Sequence, residues 1–268
     1  MHDPFRVEPP FLVSFSGGRT SGYLLRRVLD AHGGELPAGG MVMFANTGRE
    51  HPGTLEFVER VRREWCPISW IEYRREAPGY AEVNPDTASR AGEPFAALVA
   101  ARSYLPNPVT RFCTSDLKVL PMRKAMKARG LPDYVTVLGI RADEPRRVSR
   151  LRADPDRDIS MPLAEAGISQ PEILRWWSEQ AFDLRLPNND PAFGNCDLCF
   201  LKGMARVERV IRHDPSLADW WVEQETRREA RFRKDRPTYA QIRAAITIQG
   251  ELFRGSDEDH TVPCECTD

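Results

Sequence analysis

Between Phe11 and Leu29 the chain reads FLVSFSGGRTSGYLLRRVL: a short apolar run, a glycine-containing loop of hydroxyl side chains, then apolar residues at helical spacing. A strand that enters a helix through Ser16-Gly17-Gly18-Arg19-Thr20-Ser21 aims the helix's first N–H groups at one spot, and glycine lets the backbone approach without a Cβ in the way. Ser16, Thr20 and Ser21 add hydroxyl donors, so a phosphate or pyrophosphate is the expected occupant. Taken alone the hexapeptide is only a strand-to-helix turn; its surroundings decide.

Those surroundings alternate. The run GMVMFAN precedes a helical pattern from about Gly53, ISWIEY follows that pattern, and YVTVLGI follows the amphipathic LPMRKAMKARG. Strands separated by helices predict an α/β fold with a parallel sheet, in the Rossmann-like manner, and ligands of such sheets sit at the carboxyl ends of strands. Ser16, Asn46 and Arg141 all follow strand candidates at that end, so three segments are expected to meet in one crevice. The expected division is an α/β nucleotide-binding core over 1–153, a helical C-terminal region over 154–255, and an acidic, cysteine-containing tail over 256–268.

Composition removes several classes. The net charge of −1 gives no global basic field, and no apolar run approaches the roughly 18 residues of a membrane helix. The N-terminal MHDPFRVEPP lacks the basic start and apolar centre of a signal peptide, so a cytoplasmic, membrane-independent protein is expected. Of 38 basic residues 33 are arginine, whose planar fork suits phosphates, although a GC-rich genome gives the same bias. The run Arg227 to Arg236 reads as a solvated helix face, and the pairs Trp176-Trp177 and Trp220-Trp221 as helix positions with one member facing the core. Cys66, among apolar neighbours, reads as a buried structural thiol.

With its strand and helix, the loop resembles the PP-loop of the ATP pyrophosphatase superfamily, usually S-G-G-x-D-S, here with Thr20 in place of the aspartate. Four more stretches are similar to the phosphoadenosine phosphosulfate (PAPS) reductase-like branch. They are MFANTGREHPGTLEFV, with Asn46, Thr47 and Gly48; TRFCTSDLKVLPMRKAM, with Arg111, Cys113, Lys118 and Pro121; VLGIRADEPRRVSRL, with Gly139, Arg141, Glu144 and Arg147; and ISMPLAEAGISQPEILRWW, which lacks the usual Trp and Asp. The resemblance spans most of residues 11 to 202. It implies an adenine nucleotide, ATP or a relative, bound by Ser16, Gly17, Gly18, Arg19, Thr20, Ser21, Asn46, Thr47, Gly48, Gly139, Arg141 and Arg147. Arg111, Lys118, Arg141 and Arg147 would line its phosphates, and Asn46 would hydrogen-bond a ribose or adenine edge.

Cys196 and Cys199 form a C-x-x-C in GNCDLCFLKG, with no second pair nearby to complete a zinc site. By resemblance to certain thiolation enzymes, Cys113, Cys196 and Cys199 would hold a [4Fe–4S] cluster with an open iron position; zinc and plain thiols are the other readings, and Cys264 or Cys266 is a candidate fourth ligand. The preferred expectation is an ATP-dependent, iron–sulfur-assisted sulfur transfer with pyrophosphate release, in which Lys118 and Arg141 act catalytically and the acceptor is a tRNA, a DNA or a small molecule. An alternative is a sulfonucleotide reductase in which Cys266, in Glu265-Cys266, is the nucleophile and a thioredoxin-like protein the reductant. A non-catalytic nucleic-acid-associated metal-binding module is the third.

Overall fold

The computed structural model describes residues 3–153 and 158–249. Six strands form one sheet in the order β4-β3-β2-β1-β5-β6, comprising β1 (Phe11–Phe15), β2 (Gly40–Asn46), β3 (Ser69–Tyr73), β4 (Tyr80–Val83), β5 (Val135–Val137) and β6 (Ile159–Ser160). All neighbours pair in parallel except β3 with β4, which run antiparallel. The expected α/β architecture is present, with β4 and β6 added at the edges. Neither had been expected from sequence, because β4 is short and mixed and β6 has only two residues.

The alternation along β1 sets the two layers. Phe11, Val13 and Phe15 join a large apolar cluster with Leu24, Leu25 and Val28 of α1 (Arg19–Ala31) and Leu55, Val58 and Val61 of α2 (Pro52–Glu64). Leu12 points to the opposite face, where it packs with Met43, Ala45 and Ile71 against Met122, Ala125 and Met126 of α4 (Leu120–Ala128). Between α2 and α4 in the chain lies α3 (Glu93–Arg102). A third cluster joins Leu138 and Ile140 after β5 to Val148 and Leu151 of α5 (Pro145–Arg152). Because β2 and β5 lie on either side of β1, the connections from the central strand leave in opposite directions, which opens a crevice at its carboxyl end.

The C-terminal region is helical as expected: α6 (Gln170–Ser178), α7 (Met204–His213), α8 (Ala218–Arg228) and α9 (Tyr239–Gln249). Ser169 and Glu172 form a capping box at the start of α6. Trp177 is buried on α6 while Trp176 is half-buried, as the reading of one core-facing member required; Trp220 and Trp221 of α8 are both buried. Phe95 contacts both of the latter, and Phe232 and Tyr239 also pack on Trp221. The Arg227–Arg236 run is not one helix face. Helix α8 ends at Arg228, Glu229 turns with φ +48, Phe232 is fully buried, and Arg236 donates to the carbonyls of Phe200 and Lys202. Cys66 is buried, and that burial pushes its thiol up to about 11, as befits an unreactive core cysteine. No helix among the described residues is long and apolar enough to cross a membrane.

Gly17 fixes how the chain leaves β1. Its φ is +80, and a Cβ there would stand 2.7 Å from Thr54 Cγ2 and 2.9 Å from Val58 Cγ2. Both the left-handed backbone and the close approach of α2 exclude a side chain. Gly17→Ala is therefore expected to lower unfolding free energy by about 2 kcal/mol, read from urea denaturation; a loss below a few tenths would show that α2 yields freely.

Candidate nucleotide site

Gly18 stands at the cap position just before helix α1 and supplies no side-chain cap, and the helix's first turn carries no acidic residue. Its leading N–H groups thus lack intrahelical acceptors and favour an anion. The loop holds itself in shape: Ser21 Oγ accepts from the Ser16 amide at 3.2 Å, donates to the Gly18 carbonyl at 3.0 Å, and lies 3.0 Å from Ser16 Oγ. Ser21 is fully buried, whereas Ser16 and Gly18 remain half-open to the crevice. Ser21 is therefore a positioning hydroxyl, and Ser16 and Gly18 are the parts of the loop left open to the crevice.

The turn after β5 reaches the same loop. An added Cβ on Gly139 would lie 3.4 Å from Thr20 Cγ2 and 3.5 Å from the Ser21 backbone, and Arg141 Nη1 donates to Thr20 Oγ1 at 3.3 Å. Arg141 Nε is held by Asp143 at 2.9 Å, which fixes the guanidinium beside the start of α1. Arg147 is buried and pairs with Glu144, whose other carboxylate oxygen accepts from the Arg141 amide at 3.0 Å. Arg147 thus orders the turn that carries Arg141.

Arg19 and Asn46 are engaged inside the protein. Arg19 binds Asp183 through Nε at 2.8 Å and Nη2 at 2.9 Å, and Nη2 also donates to the Leu184 carbonyl at 2.8 Å. Trp177 Nε1 donates to the Arg19 carbonyl at 2.8 Å, so this residue ties the loop to the C-terminal region. Asn46 is fully buried and gives both amide protons away, to Glu72 Oε1 at 2.6 Å and the Ser89 carbonyl at 2.9 Å. That leaves no donor for a ribose or adenine edge. Glu72, also fully buried, further accepts from Ser89 and Arg74, so a saturated carboxylate braces the end of β2. Thr47 and Gly48 belong to the same buried turn, Gly48 with φ +78.

This turn presents a residue that sequence reading passed over. Thr47 donates to Glu50 through its amide at 2.9 Å and its hydroxyl at 2.7 Å, and Arg49 N donates at 3.2 Å. Burial raises the Glu50 carboxyl above its ordinary value, with the Lys118 charge and the Thr47 hydrogen bonds opposing the rise. Cys196 Sγ lies 3.5 Å from Thr47 Oγ1, and the backbone of Cys196 bridges that of Glu50. The lone carboxylate in Asn-Thr-Gly-Arg-Glu, just past a strand end, was the available signal. Lys118 lies on a π-helical turn, Ser115–Val119, between the short helix Phe112–Thr114 and α4; such turns re-aim side chains.

A cavity of about 500 Å³ opens from this edge along the α4 face, over β1 and β5. Ser16, Ala45, Thr114 and Lys118 lie at its inner end, Leu12, Ser14, Thr136 and Leu138 along its floor, and Glu8, Asp133 and Asp158 at the far end.

The C-x-x-C forms a knuckle built around a lysine. Lys202 is buried, and its ammonium contacts four carbonyls, of Ala192, Gly194, Cys196 and Asp197, at 2.6, 2.9, 2.8 and 2.7 Å. Asp197 in turn accepts from Trp221 Nε1 at 2.8 Å and pairs with Arg49, which joins the knuckle to the β2 turn. Three partly exposed thiols, Cys113, Cys196 and Cys199, are soft donors suited to iron or zinc. Among the described residues, however, no three Cys, His, Asp or Glu side chains gather closely enough to hold a metal ion. The three cysteines as arranged do not form a ligand set, and no chemical step is derived through a cluster. Cys264 and Cys266 lie outside the described residues.

The sheet, parallel but for one edge strand, with a glycine loop leading from the carboxyl end of its central strand into α1, defines an α/β protein. Residues 10–157 match the phosphoadenosine phosphosulfate reductase domain, and the chain belongs to that family. It is 30% identical to the nin region protein ORF290 of Escherichia phage lambda, over 93% of this chain and 86% of that one. It is also 26% identical to protein MJ0066 of Methanocaldococcus jannaschii over 81% of this chain, which spans 41% of that protein's length. Among solved structures it is similar to phosphoadenylyl-sulfate (PAPS) reductase from Candida auris in a phosphate complex. There the TM-score is 0.41 and the identity 16%, covering 68% of this chain and 82% of that one.

Glu50 yields a pH prediction. A carboxyl whose folded-state pKa is raised contributes stability below its unfolded value, and that contribution is lost as pH rises through the folded pKa. Glu50→Gln keeps an acceptor for the Thr47 amide and needs no ionisation. Its Tm is expected to match the parent near pH 4 and exceed it by a few degrees at pH 8; equal or lower Tm at pH 8 would contradict burial as the dominant influence.

Proposed function

We propose that the protein binds an adenine nucleotide with its phosphates on the Ser16–Ser21 loop and its nucleoside in the cavity over β1 and β5, and that it uses ATP to activate an acceptor for sulfur transfer. The observation that carries this reading is the meeting of three features at one sheet edge: the uncapped start of α1, Arg141 fixed against Thr20, and Cys196 beside Thr47 and Glu50. Helix N–H groups and a fixed guanidinium neutralise phosphate charge without reorganisation. In the reaction, an acceptor oxygen attacks the α-phosphorus, the bond to pyrophosphate breaks, and pyrophosphate leaves. Hydrosulfide, supplied by an external sulfide donor, then attacks the activated carbon; the carbon–oxygen bond breaks, AMP departs with that oxygen, and the sulfur-bound proton passes to solvent. Lys118 and Arg141 would stabilise the charge that accumulates on the phosphates, and Cys196, beside Thr47 at the same edge, would line the path of the incoming hydrosulfide.

Gly18→Asp tests the nucleotide reading cleanly. Asp is a good N-cap, so the helix should form, yet its carboxylate would occupy the anion position and repel phosphate. ATP binding by calorimetry is expected to be lost with Tm unchanged; retained affinity would remove the proposal. Arg141→Ala is expected to weaken ATP binding or ATP–pyrophosphate exchange at least tenfold, again with little change in Tm. If Tm collapses instead, Arg141 is a structural residue.

A [4Fe–4S] cluster on Cys113, Cys196 and Cys199 is a separable element of this reading, and it requires the three thiols to draw together from the arrangement described above. Anaerobic protein is expected to carry iron and sulfide, lost on Ser substitution of any of the three and kept on substitution of Cys66. Stoichiometric zinc without iron would rule the cluster out. The sulfonucleotide reductase reading, with Cys266 as nucleophile, would show instead as thioredoxin-dependent release of sulfite from APS or PAPS.

A further inference from the structure

The floor of the cavity carries two hydroxyls on strands that are otherwise apolar. In FLVSF of β1 and VTV of β5 every residue but Ser14 and Thr136 is apolar. Leu12, which packs on α4, stands opposite Thr136 in the register, so the two share a face. Ser14, two residues on from Leu12, is on that face too, and its hydroxyl donates to Met122 Sδ of α4 at 3.9 Å. A thioether is a weak acceptor. Thr136 Oγ1 has no hydrogen-bond partner among the described residues, and both side chains are half-buried. Around them the walls are apolar, with Val119 and Met122 on one side, Leu151 of α5 on another and Tyr134 just before β5. A few polar groups set in an apolar pocket are what fix a ligand's orientation and identity, whereas to the empty fold a half-buried hydroxyl without a good partner is a cost.

Charge orders the cavity lengthwise. Ser16 and Lys118 lie at its inner end and Arg123 near the start of α4, whereas Glu8, Asp133 and Asp158 precede β1, β5 and β6 at the amino edge of the sheet. Phosphates are drawn to the inner end and kept from the outer one, so an occupant lies with its uncharged part over Leu12 and Thr136. We infer that Ser14 and Thr136 are the residues that recognise the nucleoside, Ser14 through a sugar hydroxyl and Thr136 through the base. This rests on the nucleotide reading above and names its specificity-determining residues. Ser14 is two residues, about 7 Å, from Ser16, and Thr136 is one strand over and two residues further from the loop, about 8 Å from Ser14. The order loop, Ser14, Thr136 is the covalent order of phosphate, sugar and base. A threonine hydroxyl can donate to a ring nitrogen or accept from an exocyclic amine, and valine of nearly the same shape can do neither.

Calorimetry of the full chain with ATP, 2′,3′-dideoxy-ATP and inorganic tripolyphosphate tests the assignment. The parent should bind ATP more tightly than tripolyphosphate. Ser14→Ala and Thr136→Val should each weaken ATP about fivefold, and about 25-fold together, with tripolyphosphate affinity unchanged. On the dideoxy nucleotide the Ser14→Ala loss should vanish while the Thr136→Val loss persists. Thr136→Ser, which keeps the hydroxyl, should bind ATP within about twofold of the parent. Tm should hold or rise in both apolar variants, since each removes a poorly partnered hydroxyl; a residue kept only for structure would show the reverse. ATP affinity unchanged in both variants, equal losses for ATP and tripolyphosphate, or a Thr136→Ser loss as large as that of Thr136→Val would overturn the inference. A Ser14→Ala loss that persists in full on the dideoxy nucleotide would overturn the sugar assignment. A parent that binds tripolyphosphate as tightly as ATP would keep the loop as an anion site and overturn the nucleoside assignment alone, whereas a parent that binds neither would remove the nucleotide reading and this inference with it.

Discussion

The left-handed turn at Gly17 is the constraint from which the functional edge is built. It lets α2 lie against the backbone as the chain leaves β1, and it delivers the start of α1 to the strand's carboxyl end with its leading N–H groups uncapped. The buried Ser21 hydroxyl then bonds across the loop, so the turn is held by its own polar groups rather than by a ligand. The post-β5 turn packs against Thr20 and Ser21, with Arg141 fixed there by Asp143 and Glu144. A loop held in shape this way would need little further ordering on binding a ligand.

The helical C-terminal region supports that edge from two directions. Arg19 and Trp177 join the Ser16–Ser21 loop to the chain around Asp183 and to α6, while Arg49 and Asp197 join the β2 turn to the cysteine knuckle. Lys202 is the knuckle's internal cation, its ammonium set against four carbonyls of the turn. These contacts tie the Cys196–Cys199 turn to the chain between Ala192 and Gly194. The same region that reads in sequence as a separate helical appendage is therefore wired to both loops of the crevice.

The sheet was legible in sequence because its central strands are apolar, β-rich and separated by helical patterns; β1, β2, β3 and β5 fall where FLVSF, GMVMFAN, ISWIEY and YVTVLGI place them. The convergence of the Ser16 loop with Gly139 and Arg141 was also legible, since strand-end position in a parallel sheet is a topological property. What side chains do once there was not. Asn46 and Arg19 stand in motif positions, but partners far away in sequence, Glu72 and Asp183, take their hydrogen-bonding capacity. Glu50 went unnoticed because its environment is made by Thr47, Lys118 and Cys196 together, and no spacing rule links the three. Glu72, a lone charge inside the apolar ISWIEY, carried a signal that a buried polar bracket was present.

The central claim is that the backbone at the start of α1 receives nucleotide phosphate. Amide hydrogen exchange, compared with and without ATP, tests it most directly. Exchange at Gly18 through Ser21 is predicted to slow on ATP addition, together with the Gly139–Arg141 turn. Exchange there that stays unchanged at saturating ATP, with protection only elsewhere or nowhere, would contradict the account.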